Sequence, residues 1–156
     1  MEINIKLSNE QVLCGFRRTP EKEMKASVIM VHGLGEHIGR YAFLSDLLIR
    51  EGIGLTGVDL PGHGRSPGRR GYIKNYSLLI EMIDILLREN LIRFPDIPAF
   101  VYGHSLGGGI VLNYLLKREP AELKGAIISS PWLKLGSDPS VLKKKMVSLM
   151  KGIIPG

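Results

Sequence analysis

One short stretch limits the folds open to this chain more than any other: Val101-Tyr102-Gly103-His104-Ser105-Leu106-Gly107-Gly108-Gly109. It joins a brief apolar run, Ala99 to Tyr102, to a segment in which Ile110, Val111, Tyr114 and Leu115 recur at helical spacing. Ser105 therefore falls on a tight strand-to-helix turn. Gly103 and Gly107 flank it as Gly-x-Ser-x-Gly, which lets the strand and helix backbones approach closely. The serine, held in a strained conformation, lifts its hydroxyl above the sheet. Such a turn presents a nucleophile. A Gly-rich turn between core elements would carry the same five residues, so the flanking sequence has to decide.

That sequence alternates strand and helix signals. Ile3, Ile5 and Leu7 alternate with Asn4 and Lys6, and Val12, Leu13 and Phe16 follow the turn-like Ser8-Asn9, which predicts a two-stranded antiparallel start. After a charged loop, Ala26 to Val31 is a continuous apolar run of the kind buried on both faces of a parallel sheet, ending in His32-Gly33-Leu34-Gly35-Glu36-His37. Phe43, Leu44, Leu47 and Leu48 give a helical face within Arg40 to Glu51, with Gly52 as its stop. Ile53 to Leu60 is the next strand, closing on the loop Asp59 to Gly68. A helix over Ser77 to Asn90 carries Leu79, Met82, Ile83 and Leu86 on one face. Pro98 to Tyr102 enters the turn at Ser105, and Lys124 to Ser129 is the last strand.

Strands alternating with helices of this length make right-handed crossovers and an α/β fold: a mostly parallel sheet with helices on both faces. Three glycine-rich segments all fall at the carboxyl ends of strands, the rim where such sheets gather ligand chemistry. The totals agree. With 156 residues, 44% hydrophobic and 23% charged, the chain buries one core. Its charge of +6 is scattered apart from Arg17-Arg18, Arg69-Arg70 and Lys143-Lys144-Lys145. No nucleic-acid motif accompanies the basic residues, so a solvated basic surface or a membrane-surface contact is the better reading. Cys14 is the only cysteine, which excludes an internal disulfide and a Cys-based metal site. The N-terminus lacks a signal-peptide pattern and no apolar stretch is long enough to span a bilayer, so a cytoplasmic protein, with room for peripheral membrane attachment, is expected.

Read together, His32-Gly33-Leu34-Gly35-Glu36-His37 with Arg40-Tyr41, Asp59-Leu60-Pro61-Gly62-His63-Gly64-Arg65-Ser66 and Gly103-His104-Ser105-Leu106-Gly107-Gly108 resemble the monoacylglycerol lipase and lysophospholipase group of α/β-hydrolases. The resemblance covers about Ala26 to Trp132. It implies an α/β-hydrolase core over residues 1–135, the start of a cap over 136–156, and serine esterase chemistry on a small lipid-like ester without cofactor or metal. Ser105 matches the nucleophile, and the backbone N–H groups of Leu34 and Leu106 match the donors of the oxyanion hole. A non-catalytic lipid- or protein-binding module, or thioester or carbon–carbon bond hydrolysis on the same fold, are the alternatives.

The rest of the triad is not evident. In this fold an acid and then a histidine follow the serine. Here His32, His37, His63 and His104 all precede Ser105, and the acidic residues after it are Glu119, Glu122 and Asp138. His32 and His37 read as shaping the oxyanion loop, His63 as bracing its own loop, and His104 as pointing away from its neighbour. Asp59 reads as a carboxylate that organises its loop by accepting backbone N–H bonds. The expectation is the N-terminal portion of a longer hydrolase, lacking its C-terminal strands and inactive alone, with an apolar edge over Gly125 to Ser129 that invites self-association. A final helix opening at Asp138-Pro139, with Leu142, Met146, Leu149, Met150 and Ile153 on one face, is expected to pack as a cap or lie on lipid.

Overall fold

The computed structural model describes residues 1–73 and 75–134. The expected cap region, including the helix opening at Asp138, lies outside the described residues.

Strict alternation of buried and exposed residues builds β1 (Glu2–Lys6), which pairs antiparallel with β2 (Val12–Arg18) as expected, Lys6 standing opposite Val12. The remaining strands are β3 (Ala26–Val31), β4 (Ile53–Val58), β5 (Ala99–His104) and β6 (Leu123–Ser129). They form a six-stranded sheet in the order β1-β2-β4-β3-β5-β6. β3 pairs parallel with both β4 and β5, β5 pairs parallel with β6, and β2 meets β4 antiparallel. The apolar runs of β3 and β4 are buried almost throughout because both faces of the sheet are covered.

Each face has its own helices. Ile29, Val31, Val58 and Val101 point into the larger core, against α2 (Ser77–Arg93) and α3 (Leu106–Arg118). Met30 and Leu55, the alternate residues, point to the other side, where Ile38, Leu44 and Leu48 cover them. The α2 face read from the sequence is the buried one: Leu79, Met82, Ile83 and Leu86 are all in the core. Asn90 of α2 is also buried and donates to Ser27 Oγ of β3 at 2.8 Å, tying helix to sheet.

One helix departs from expectation. A 3₁₀ turn (Ile38–Tyr41) precedes α1 (Ala42–Arg50), so the helix starts two residues later than predicted. A 3₁₀ turn advances each residue further round the axis than an α-helix does, which shifts the phase of the helix after it. Ile38 fills the space beneath, Leu44 and Leu48 pack, and Phe43, expected on the same face, is 73% exposed, with Leu47 also exposed.

The topology fixes where chemistry can sit. From β3 the chain moves to β4 on one side, and the next strand, β5, lies on the other side of β3. The connections leaving β3 and β5 go to opposite faces, and a crevice opens between the two strand ends. Register does the rest. Val31 stands opposite Gly103, so the residues two further on, Gly33 and Ser105, emerge side by side.

Candidate active site

Ser105 has φ 52° and ψ −116°, a left-handed conformation that a serine adopts only when its surroundings impose it. Those surroundings are visible. Its N–H donates to Ser129 O at 2.9 Å and its carbonyl accepts from Trp132 N at 2.9 Å and from Gly109 N at 3.1 Å, so the loop after β6 and the first turn of α3 grip the turn from two sides. A Cβ on Gly103 would overlap the Gly107 backbone, and one on Gly107 would overlap the carbonyl of Val31. The two glycines are thus required by close packing of strand and helix. Among the described residues nothing hydrogen-bonds the Ser105 hydroxyl.

The loop after β3 lies against this serine. A Cβ built on Gly33 would stand 3.1 Å from Ser105 Cβ, so the Gly33 backbone passes at contact distance. Its shape is held by side chains. Gly33 N donates to Glu36 Oε1 at 2.6 Å, and the Tyr41 hydroxyl donates to the same oxygen at 3.2 Å. Burial, and then the Glu36 carboxylate, push the Tyr41 phenol well above its usual range, which keeps it a neutral donor. The amides of Leu34 and Leu106 make no hydrogen bond within the described residues. The Leu34 side chain is half-exposed, while that of Leu106 packs on the larger core.

The four histidines divide by environment. His32 is fully buried: its Nε2 accepts from Leu60 N at 2.9 Å, so Nδ1 carries the proton and donates to Gly33 O at 2.8 Å. Burial lowers its pKa, against the opposing pull of the Gly33 carbonyl and Asp59. Both ring nitrogens are occupied, as its reading as a loop-shaping residue requires. His104 Nδ1 lies 3.2 Å from Ser129 Oγ, and His37 is exposed. His63 is buried 5.5 Å from His32, ring centre to ring centre, and donates from Nδ1 to Pro61 O at 3.0 Å.

Asp59 accepts from Ile38 N at 2.7 Å and Arg65 N at 2.8 Å, linking the loops after β3 and β4. That is the loop-organising role read from the sequence. Glu119 caps the C-terminal end of α3 and Glu122 comes just after it, at the end opposite Ser105. Sequence reasoning missed the function of Glu36 and Tyr41. The available signal was a carboxylate three residues after a backbone N–H on a tight turn. No group of acidic, histidine or cysteine side chains able to hold a metal occurs among the described residues, and no helix among them is long and apolar enough to cross a membrane.

Known proteins share this fold. Residues 22–156 match the family Hydrolase_4, described as Serine aminopeptidase, S33. The chain belongs to this family. It is 30% identical over 138 residues to a monoacylglycerol lipase of Mycolicibacterium smegmatis, covering 88% of this chain and 49% of that protein. The structure of a Paleococcus ferrophilus monoacylglycerol lipase superposes with a TM-score of 0.70 at 34% identity, over 91% of this chain and 52% of that one. A monoglyceride lipase of Saccharomyces cerevisiae bound to a substrate analogue gives a TM-score of 0.74 at 26% identity, over 98% and 50%. The chain thus has an α/β-hydrolase fold and spans about half the length of these relatives.

Proposed function

We propose that this chain carries the acyl-transfer half of a serine ester hydrolase. Ser105 is the nucleophile: its oxygen attacks the ester carbonyl carbon, the carbonyl π pair moves to oxygen, and the N–H groups of Leu34 and Leu106 receive the oxyanion. Collapse expels the alcohol and leaves an acyl-Ser105 that water hydrolyses. The observation that carries this reading is the strained Ser105 turn with the Gly33 backbone packed against it. Substrates are lipid-like carboxylic esters, as the names of the relatives state for those proteins.

The proton on Ser105 needs an acceptor, and none of the four histidines is offered as one. His32 has no free nitrogen, and no histidine follows Ser105 in the sequence. Among the described residues no side chain hydrogen-bonds the Ser105 hydroxyl, so no general base is placed there. A positioned base contributes about 10²- to 10⁴-fold.

The family description names a serine aminopeptidase, so amide substrates are the second reading. An amine leaves only after a general acid protonates it, whereas a phenolate leaves unaided, so this chain alone distinguishes the two. The expected result is slow hydrolysis of p-nitrophenyl butyrate, lost in Ser105→Ala, accelerated at least ~10-fold by added imidazole over the same imidazole with Ser105→Ala. No aminoacyl p-nitroanilide is cleaved. Nitroanilide cleavage that depends on Ser105 would select the peptidase reading, and butyrate cleavage that survives Ser105→Ala would refute both.

A further inference from the structure

Four residues leaving β6, Ser129 to Trp132, form a strap across the first turn of α3. Ser129 O accepts the Ser105 N–H and Trp132 N donates to the Ser105 carbonyl, each at 2.9 Å, so both backbone groups of one residue are held by partners three positions apart. The first turn of α3 is shaped to receive the strap. A Cβ on Gly109 would stand 2.7 Å from Trp132 O, and one on Gly108 would stand 3.1 Å from Pro131 Cα. The last two glycines of Gly107-Gly108-Gly109 therefore make room for the strap, whereas Gly107 makes room for β3.

Ser130 makes the strap turn. Its φ is 45°, in the left-handed region, where a residue other than glycine is held only by its surroundings. Pro131 biases the residue before it towards extended backbone, so the local sequence does not favour this conformation. The side chain offers no reason for it either: Ser130 is exposed, and among the described residues its hydroxyl makes no hydrogen bond. Ser129, by contrast, is anchored to the neighbouring strand, its Oγ 3.2 Å from His104 Nδ1. What fixes Ser130 is the pair of backbone bonds on either side of it, and both end on Ser105.

We infer that Ser130 is a positioning residue for the Ser105 nucleophile: its left-handed backbone, and not its hydroxyl, turns the chain after β6 so that Ser129 O and Trp132 N clamp the strained turn. The effect on rate rests on the acyl-transfer reading, while the clamp itself needs no turnover. Two strained residues, Ser105 and Ser130, hold one another in place. A residue unable to take a positive φ at position 130 releases both.

The test compares Ser130→Thr, which keeps a hydroxyl but is β-branched and unsuited to positive φ, with Ser130→Gly, which keeps the conformation and loses the hydroxyl. Two readouts are taken on the 156-residue chain: fluorophosphonate labelling of Ser105, and amide hydrogen exchange at Ser105, Trp132 and the buried core residue Ile29. In Ser130→Thr, labelling is expected to slow about 10- to 100-fold, in line with the cost of a small displacement of a reacting group. Exchange at Ser105 and Trp132 quickens at least ~10-fold in the same variant, as for a local opening, with Ile29 unmoved. Ser130→Gly is expected to keep both readouts within ~3-fold of wild type, because glycine takes positive φ without strain. Gly109→Ala crowds Trp132 O with residue 130 untouched, and is expected to slow labelling at least ~5-fold. Wild-type labelling and exchange in Ser130→Thr, labelling in Ser130→Gly as slow as in Ser130→Thr, wild-type labelling in Gly109→Ala, or exchange at Ile29 that quickens together with Trp132 would each overturn the proposal. A wild-type chain that never labels refutes the acyl-transfer reading, and Trp132 exchange in the two residue-130 variants then decides this one.

Discussion

At the scale of single residues, the site is held by side chains whose protonation state is fixed by their neighbours. His32 shows how. Its Nε2 must stay unprotonated to accept the buried Leu60 N–H, and its Nδ1–H holds the Gly33 carbonyl, so the neutral imidazole secures the loop that passes Ser105. Its folded-state pKa lies below the ordinary 6.5. As pH falls below 6.5 the unfolded chain therefore takes up a proton that the folded chain resists, and the stability linked to His32, fully present above 6.5, is progressively lost. Replacing it by leucine leaves the Leu60 N–H without an acceptor, which costs about 1–3 kcal/mol at pH 7.5. In urea unfolding the gap between wild type and His32→Leu is expected to narrow from pH 7.5 to pH 5. A gap that stays constant or widens would show that His32 is not buried in its neutral form.

At the scale of elements, the described sheet has one end that is finished and one that is open. β1 and β2 close one side with an antiparallel hairpin whose inward residues are buried. β6 closes the other with Lys124, Ala126 and Ile127 exposed, Ile127 at 53%. An apolar strand edge with unpaired backbone groups is a template for a second strand. We expect concentration-dependent self-association through β6, read by sedimentation velocity. Burying an isoleucine contributes about 1.5–3 kcal/mol, so Ile127→Lys should weaken association at least ~10-fold. Equal sedimentation of the two proteins would place any contact elsewhere.

At the scale of the whole molecule, most of what the sequence specifies is the sheet and the three segments at its rim. A continuous apolar run marked β3 because burial on both faces leaves no room for polar alternation, and the glycines around Ser105 marked the turn because only they fit there. Asp59 and His32 were legible as loop braces for the same reason: buried polar groups must find partners. What escaped depends on phase and on long-range contact. The 3₁₀ turn before α1 moved Phe43 to the surface, and no local pattern announces such a turn. Glu36 and Tyr41 acquire their function only when the loop folds back on Gly33.

The central claim of the proposal is that Ser105 is a nucleophile presented for attack with no general base bonded to it among the described residues. Fluorophosphonate labelling with intact-protein and peptide mass spectrometry tests it most directly. The account predicts one adduct, mapped to Ser105, forming about 10²- to 10⁴-fold more slowly than on a serine hydrolase with its general base in place, and absent in Ser105→Ala. Rapid stoichiometric labelling at neutral pH, or an adduct that persists in Ser105→Ala, would contradict it.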